Sequence, residues 1–370
     1  METTVANKTV FHTSIDFINK RIGDIEPIAY GSSRNFIDGA VTYLSPYISR
    51  GVISTKQVME AILKRGYKPH RIEKFLQELA WRDYWQHVWK VKGDVINADL
   101  KRPQPDASNF GIPAAVTAAK TGIEALDSAT THFYETGYLH NHVRMYIASI
   151  CCNVAKCHWS QPAKWMYYHL LDGDWASNAL SWQWVAGSNS SKKYYANQGN
   201  INKFCYSKQR RTFLDVSYEE LSKMGIPDEL TKLTPFSLKT SLPKSDVLTI
   251  DPALPTLIYN FYNLDPNWKS EKKANRILLL EPSHFEKYPV SEKSIAFILK
   301  LSKNIDGAQL FVGEFQDLIS KHITGQVFFK EHPANNHYQG IQEERDWMFT
   351  VTGYFPSFFA FWKKCKKELK

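Results

Sequence analysis

The chain has 370 residues, 43% hydrophobic, 22% charged and 14% aromatic, which is long and apolar enough for two domains with their own cores and excludes a disordered chain. A formal charge of +9 favours polyanions, and five cysteines without regular spacing exclude a disulfide framework. No apolar run reaches the length of a membrane span or reads as a signal peptide, so the expected setting is cytoplasmic, with reduced thiols, no membrane and no obligate protein partner.

In chain order, the first two hundred residues read as helices and tight loops. Residues 38–54, DGAVTYLSPYISRGVIS, offer Gly39, Thr42, Ser45 and the backbone before Pro46 as a loop suited to phosphate. TKQVMEAILKRG follows, with Val58, Met59, Ile62 and Leu63 on one face and a stop at Gly66. The stretch from Arg71 to Gly93 is a longer helix that sets Glu78, Trp81, Arg82 and Trp85 at i, i+3, i+4 and i+7. A Pro- and Asn-rich loop over 97–113 interrupts the pattern. LHNHVRMYIAS at 139–149 then places Asn141, Arg144, Met145 and Ala148 on one face, mixing polar and apolar side chains.

Cys151, Cys152 and Cys157 fall in a helical context, where cysteine acts as a small buried hydrophobe, and four spread ligands for an iron–sulfur cluster are not evident. Residues 171–185, LDGDWASNALSWQWV, carry the densest chemistry. Gly173 allows a tight turn, Asp174 is an N-cap, and Asn178 and Trp182 share the next helical face. Alone, such a segment reads as a core helix with two aromatic anchors. A neutral amide beside an electron-rich ring also suits a planar, redox-active ligand, and the segments upstream turn the reading that way. Lys192, Lys193, Lys203, Lys208, Arg210 and Arg211, interleaved with Tyr194, Tyr195 and Tyr206, suit phosphate tracking with base contact, or a solvated linker face.

Residues 206–245, punctuated by Pro227, Pro235 and Pro243, read as a linker. Strands are then expected at 247–250 (VLTI), 277–281 (ILLLE), 309–315 (QLFVGEF) and 326–331 (QVFFKE), with an amphipathic helix capped by Ser291 between two of them. Strands alternating with helices indicate a parallel sheet, and no GxGxxG marks a dinucleotide site. The expected architecture is a helical domain over 1–205, a linker over 206–245 and a smaller α/β domain of Rossmann or flavodoxin type over 246–370.

The four segments, in this order, resemble the FAD-binding helical domain of the photolyase/cryptochrome family over about residues 25–205. The resemblance implies FAD held by Tyr30, Thr42, Leu44, Ser45, Asn141, Arg144, Asp172, Asp174 and Asn178, with Asn178 opposite the flavin N5 and Arg144–Asp172 as an ion pair beside the ring. It implies light-driven splitting of cyclobutane pyrimidine dimers in UV-damaged DNA, or else a cryptochrome-like photoreceptor without repair activity. Glu78 matches the acid that hydrogen-bonds a dimer carbonyl. Trp81 and Trp184 match the rings that sandwich a flipped-out dimer, and Arg82 and Met145 match further substrate contacts. Trp182 and Trp159 match two members of an electron-transfer wire.

This sequence also departs from the family pattern. No Trp occupies the wire's third place, Tyr43 stands where the phosphate loop normally has Arg, and Asn197 where a DNA-contacting Arg is common. Asn141 and His142 replace the paired histidines of (6-4) photolyases, which disfavours that substrate. The family's α/β antenna domain ordinarily precedes the helical one, so the order here is expected to be permuted, the alternative being an unrelated α/β module in place of the antenna domain. A second antenna chromophore is open in identity.

Overall fold

The computed structural model describes residues 10–369, and these form two compact units. The first is built from Ile28–Val41 and Lys92–Leu238, the second from Phe11–Pro27, Thr42–Val91 and the chain from Lys239 on. These bounds do not coincide with 1–205, 206–245 and 246–370. Residues 206–238 go with the first unit because Leu214, Leu221 and Leu230 are buried, and β1 (Ile112–Pro113) pairs antiparallel with β2 (Leu233–Thr234). Residues 42–91, read as part of the helical domain, group with the α/β segment.

The first unit is helical. Helix Trp175–Ala186 packs against Asn141–Ser149 and Ser160–His169. Its start is fixed by Asp174, whose carboxylate accepts from Ser177 N at 2.7 Å, and its end by Gly187 in the left-handed region. Between those ends nearly every side is buried, as expected of a central helix. Gly173 does not have a positive φ. A Cβ there would lie 3.0 Å from Tyr167 O and 3.1 Å from Leu170 O, so the position needs space rather than an unusual turn. Cys151 and Cys152 lie in a π-turn over Ile150–Val154 and, with Cys157, are buried. Burial pushes the Cys157 thiol up to about 12, which keeps it an inert space-filler.

The second unit holds a five-stranded parallel sheet of β3 (Thr256–Tyr259), β4 (Asn275–Leu280), β5 (Ala308–Val312), β6 (Val327–Lys330) and β7 (Ile341–Glu343), in the order β5-β4-β3-β6-β7. Ile258, Ile277, Leu279 and Phe329 pack with Phe315, Leu318 and Tyr338 into its core. The expected strands at 277–281, 309–315 and 326–331 are present with shifted ends, and Phe315 already begins the next helix. Helix Glu292–Leu301 has Ser291 at its N-cap position, but the serine makes no side-chain cap bond.

VLTI at 247–250 is not a strand. Val247 is 95% exposed, and the segment follows the sheet edge through bonds that mostly use side chains. Asp246 N donates to Leu310 O, Leu310 N donates to the Asp246 carboxylate, and the Gln309 amide serves both Thr249 N and Thr249 O. Side chains thereby satisfy an edge that would otherwise template another strand. The first strand of this sheet is β3, four residues buried throughout and hidden in the sequence by Pro252 and Pro255. Helix Glu73–Lys92 and helix Thr55–Lys64, the latter closed by a Ser54/Gln57 capping box, also belong to this unit.

Candidate functional site

In the first unit the DGD segment and the HNHVRM helix come together. Arg144 donates through Nη2 to both Asp172 oxygens, at 3.0 and 2.9 Å, and through Nε to Leu139 O at 2.8 Å. Asp172 is almost fully buried and Arg144 partly so. Asn178 donates from Nδ2 to Ala163 O at 2.8 Å. Only the amide nitrogen can make that bond, so the orientation is fixed and Oδ1 is left as an acceptor. Ser149 Oγ, buried without a hydrogen-bond partner, stands four residues after Met145 and eight after Asn141 on one helix side. A neutral acceptor, a buried ion pair and an orphaned hydroxyl fit the polar edge of a flavin ring. Asn141 itself is exposed, Met145 and Tyr30 are half-buried, and Asp174 is committed to its cap.

The tryptophans of this unit differ in setting. Trp182 is buried. Trp159 is fully buried and donates its ring N–H to Asp99 at 2.8 Å. Trp184 is 39% exposed and leans on Tyr194, with ring centroids 6.0 Å apart. Sequence reasoning passed over Gln183 between them. It is fully buried, accepting from Leu100 N and donating to Ile96 O, so it pins the 97–113 loop against the helix. An amide inside an otherwise apolar helical run was the available clue.

The second unit carries the remaining candidates. Thr42 Oγ1 accepts from Leu44 N at 3.3 Å, and Tyr43 lies between them at φ 53°. Leu44 is buried, so only its backbone can meet a ligand, and Ser45 starts the short helix Ser45–Ser49. Glu78 pairs with Lys74 at 3.1 Å and is partly exposed. Arg82 donates to Ser49 Oγ at 2.6 Å. The Trp81 ring is stacked on Phe358, centroids 3.9 Å apart and planes 11° apart, a partner that sequence reasoning did not find. Among the described residues, no group of three or more His, Cys, Asp and Glu could hold a metal, and no helix is long and apolar enough to cross a membrane.

One titration follows from the cap of helix Asn141–Ser149. His140 Nδ1 accepts from His142 N at 3.2 Å, and burial depresses this imidazole to about 4. A depressed folded value means its contribution to stability is full above the unfolded value near 6.5 and is lost as pH falls toward 4. His140→Asn keeps an acceptor at the cap without a proton to gain. Urea unfolding from pH 6.5 to 4 should then lose about 1.4 kcal/mol per pH unit of slope. Asp83, which burial raises to about 6, acts with the opposite sign, its contribution fading as pH rises from 3.8 to 6. The difference between variant and wild type is therefore the quantity to read, and equal slopes would assign the acid sensitivity elsewhere.

Comparison with known proteins finds similarity over the helical segment. Residues 75–213 match the model of the FAD-binding domain of DNA photolyase. The chain is 29% identical over 188 residues to a deoxyribodipyrimidine photo-lyase of Synechococcus sp., covering 48% of this chain and 38% of that protein. It is 33% identical over 170 residues to one of Agrobacterium fabrum, covering 43% of this chain and 34% of the relative. The match thus spans little more than a third of these relatives' length. A Synechocystis cryptochrome structure aligns with a TM-score of 0.48 at 20% identity, over 53% of this chain and 44% of that one.

The helical segment is an FAD-binding domain of the photolyase type. Over that segment the chain is similar to the photolyase/cryptochrome family.

Proposed function

We propose that the protein is a light-dependent flavoenzyme that splits cyclobutane pyrimidine dimers in UV-damaged DNA. The observation that carries this reading is the match of residues 75–213 to the FAD-binding domain of DNA photolyase, which takes in Glu78, Trp81, Arg144, Asp172 and Asn178 together. Bound reduced FAD would supply the light-driven loan of one electron to the dimer. The rest falls to the chain. Asn178 Oδ1, fixed by the bond to Ala163, would hold a flavin N–H proton, and Arg144–Asp172 would orient the ring. Thr42, Ser45 and the Leu44 backbone would hold the phosphates, with Tyr30 beside the cofactor. Glu78 would hydrogen-bond a dimer carbonyl, which requires its pair with Lys74 to open. Trp81 and Trp184 would stack on the flipped bases, and the net charge of +9 would favour the phosphate backbone.

The test is repair by chemically reduced protein under blue or near-ultraviolet light. Thymine dimers should be restored and (6-4) products left unchanged. Glu78→Ala should keep its flavin yet lose much of the repair per absorbed photon. Flavin-loaded, reduced protein with neither dimer-selective binding nor light-dependent reversal would sink the enzyme reading. A cryptochrome-like photoreceptor is the second reading, favoured by one observation: a face of Trp81 is already taken by Phe358.

A further inference from the structure

The helix Phe358–Cys365 lies along helix Glu73–Lys92 within the second unit. Phe358, 2% exposed, stacks flat on Trp81, while Phe361 and the Tyr84 ring meet beside it. Two further ties hold the segment. Tyr84 OH donates to Phe355 O at 3.1 Å, and Glu73 accepts from Trp362 Nε1 at 3.0 Å and Lys366 Nζ at 2.8 Å. Upstream, Met348 N donates to Asp83 and Trp347 stacks on His87 at 4.0 Å. Between that strap and the helix, Thr352, Gly353 and Tyr354 are exposed. Gly353 has φ 93° with nothing near its Cβ position, which makes it a natural pivot.

Face-to-face contact at 3.9 Å is the geometry in which a nucleobase would sit on an aromatic ring. We propose that helix 358–365 is a tethered aromatic cover: Phe358 occupies Trp81 in place of a pyrimidine, and damaged DNA must displace it before the dimer is held. The inference rests on the repair reading for the identity of the displacing base. A tethered competitor lowers apparent affinity by the fraction of time the ring is uncovered. Because the tether is intramolecular, its hold on Trp81 does not depend on protein concentration.

The experiment uses the full chain loaded with FAD, with a thymine-dimer oligonucleotide and its undamaged twin as probes. Phe358→Ala should bind the dimer about tenfold more tightly than wild type and leave undamaged binding unchanged. In wild type, amide hydrogen exchange across 358–365 should speed up on adding the dimer oligonucleotide and not the undamaged one, a readout that stands even if the variant folds poorly. Equal dimer affinity in both proteins, or dimer binding that leaves 358–365 fully protected, overturns the cover while repair stands. Dimer-selective binding by neither protein overturns the cover and the repair reading together.

Discussion

Asp172→Ala is expected to abolish flavin binding and to destabilise the protein by about 3–5 kcal/mol. The carboxylate is 3% exposed, and each of its oxygens accepts from Arg144 Nη2. Removing it leaves a partly buried guanidinium without its carboxylate partner, while the Nε bond to Leu139 O stays. Asp172→Asn should fall between, since one acceptor oxygen remains. Absorbance in the blue for the purified protein and a urea midpoint for each variant decide the matter. An Asp172→Ala protein that is as stable as wild type and still yellow would remove the ion pair from the cofactor's support.

The second large effect is expected at Gly51, just after the short helix that begins at Ser45. Its φ is +62°, and a Cβ there would sit 2.3 Å from Tyr262 O. Alanine must therefore bear a left-handed conformation and push a backbone carbonyl aside, together about 2–5 kcal/mol. The site cannot relax cheaply. Arg50 next to it is fully buried over the Phe261 ring at 3.7 Å, and Leu264 N donates to Arg50 O at 2.9 Å. Gly66 is the internal control, with φ +86° but open space around it, so alanine there should cost only the conformational part, about 1 kcal/mol. Similar thermal or urea midpoints for the two variants would contradict the close approach.

For the flavin domain, local rules carried the reading far. Asp174 caps its helix as an aspartate before an apolar run should, and Gly187 stops it, because both effects depend on atoms within one helical turn. Arg144 and Asp172 were paired by resemblance, and the structure brings them into contact. The alternating texture after residue 246 announced a parallel sheet, since buried strands need short apolar runs whatever their partners.

Near neighbours therefore made legible, from the sequence alone, each helix and strand whose ends and faces they set. Such cues misplaced the first strand, because VLTI at 247–250 and TLIY at 256–259 have the same local texture. Only the second found partners on both sides, in β4 and β6, while the first met a sheet edge already served by Asp246 and Gln309. Nor could the chain between residues 51 and 262, or 81 and 358, announce that its ends would touch. Gly51 is required by a carbonyl 211 positions on, and Trp81 is covered by a ring 277 positions on. Those contacts exist because burying apolar surface brings distant segments together without regard to sequence separation, and no periodicity records which pair will meet.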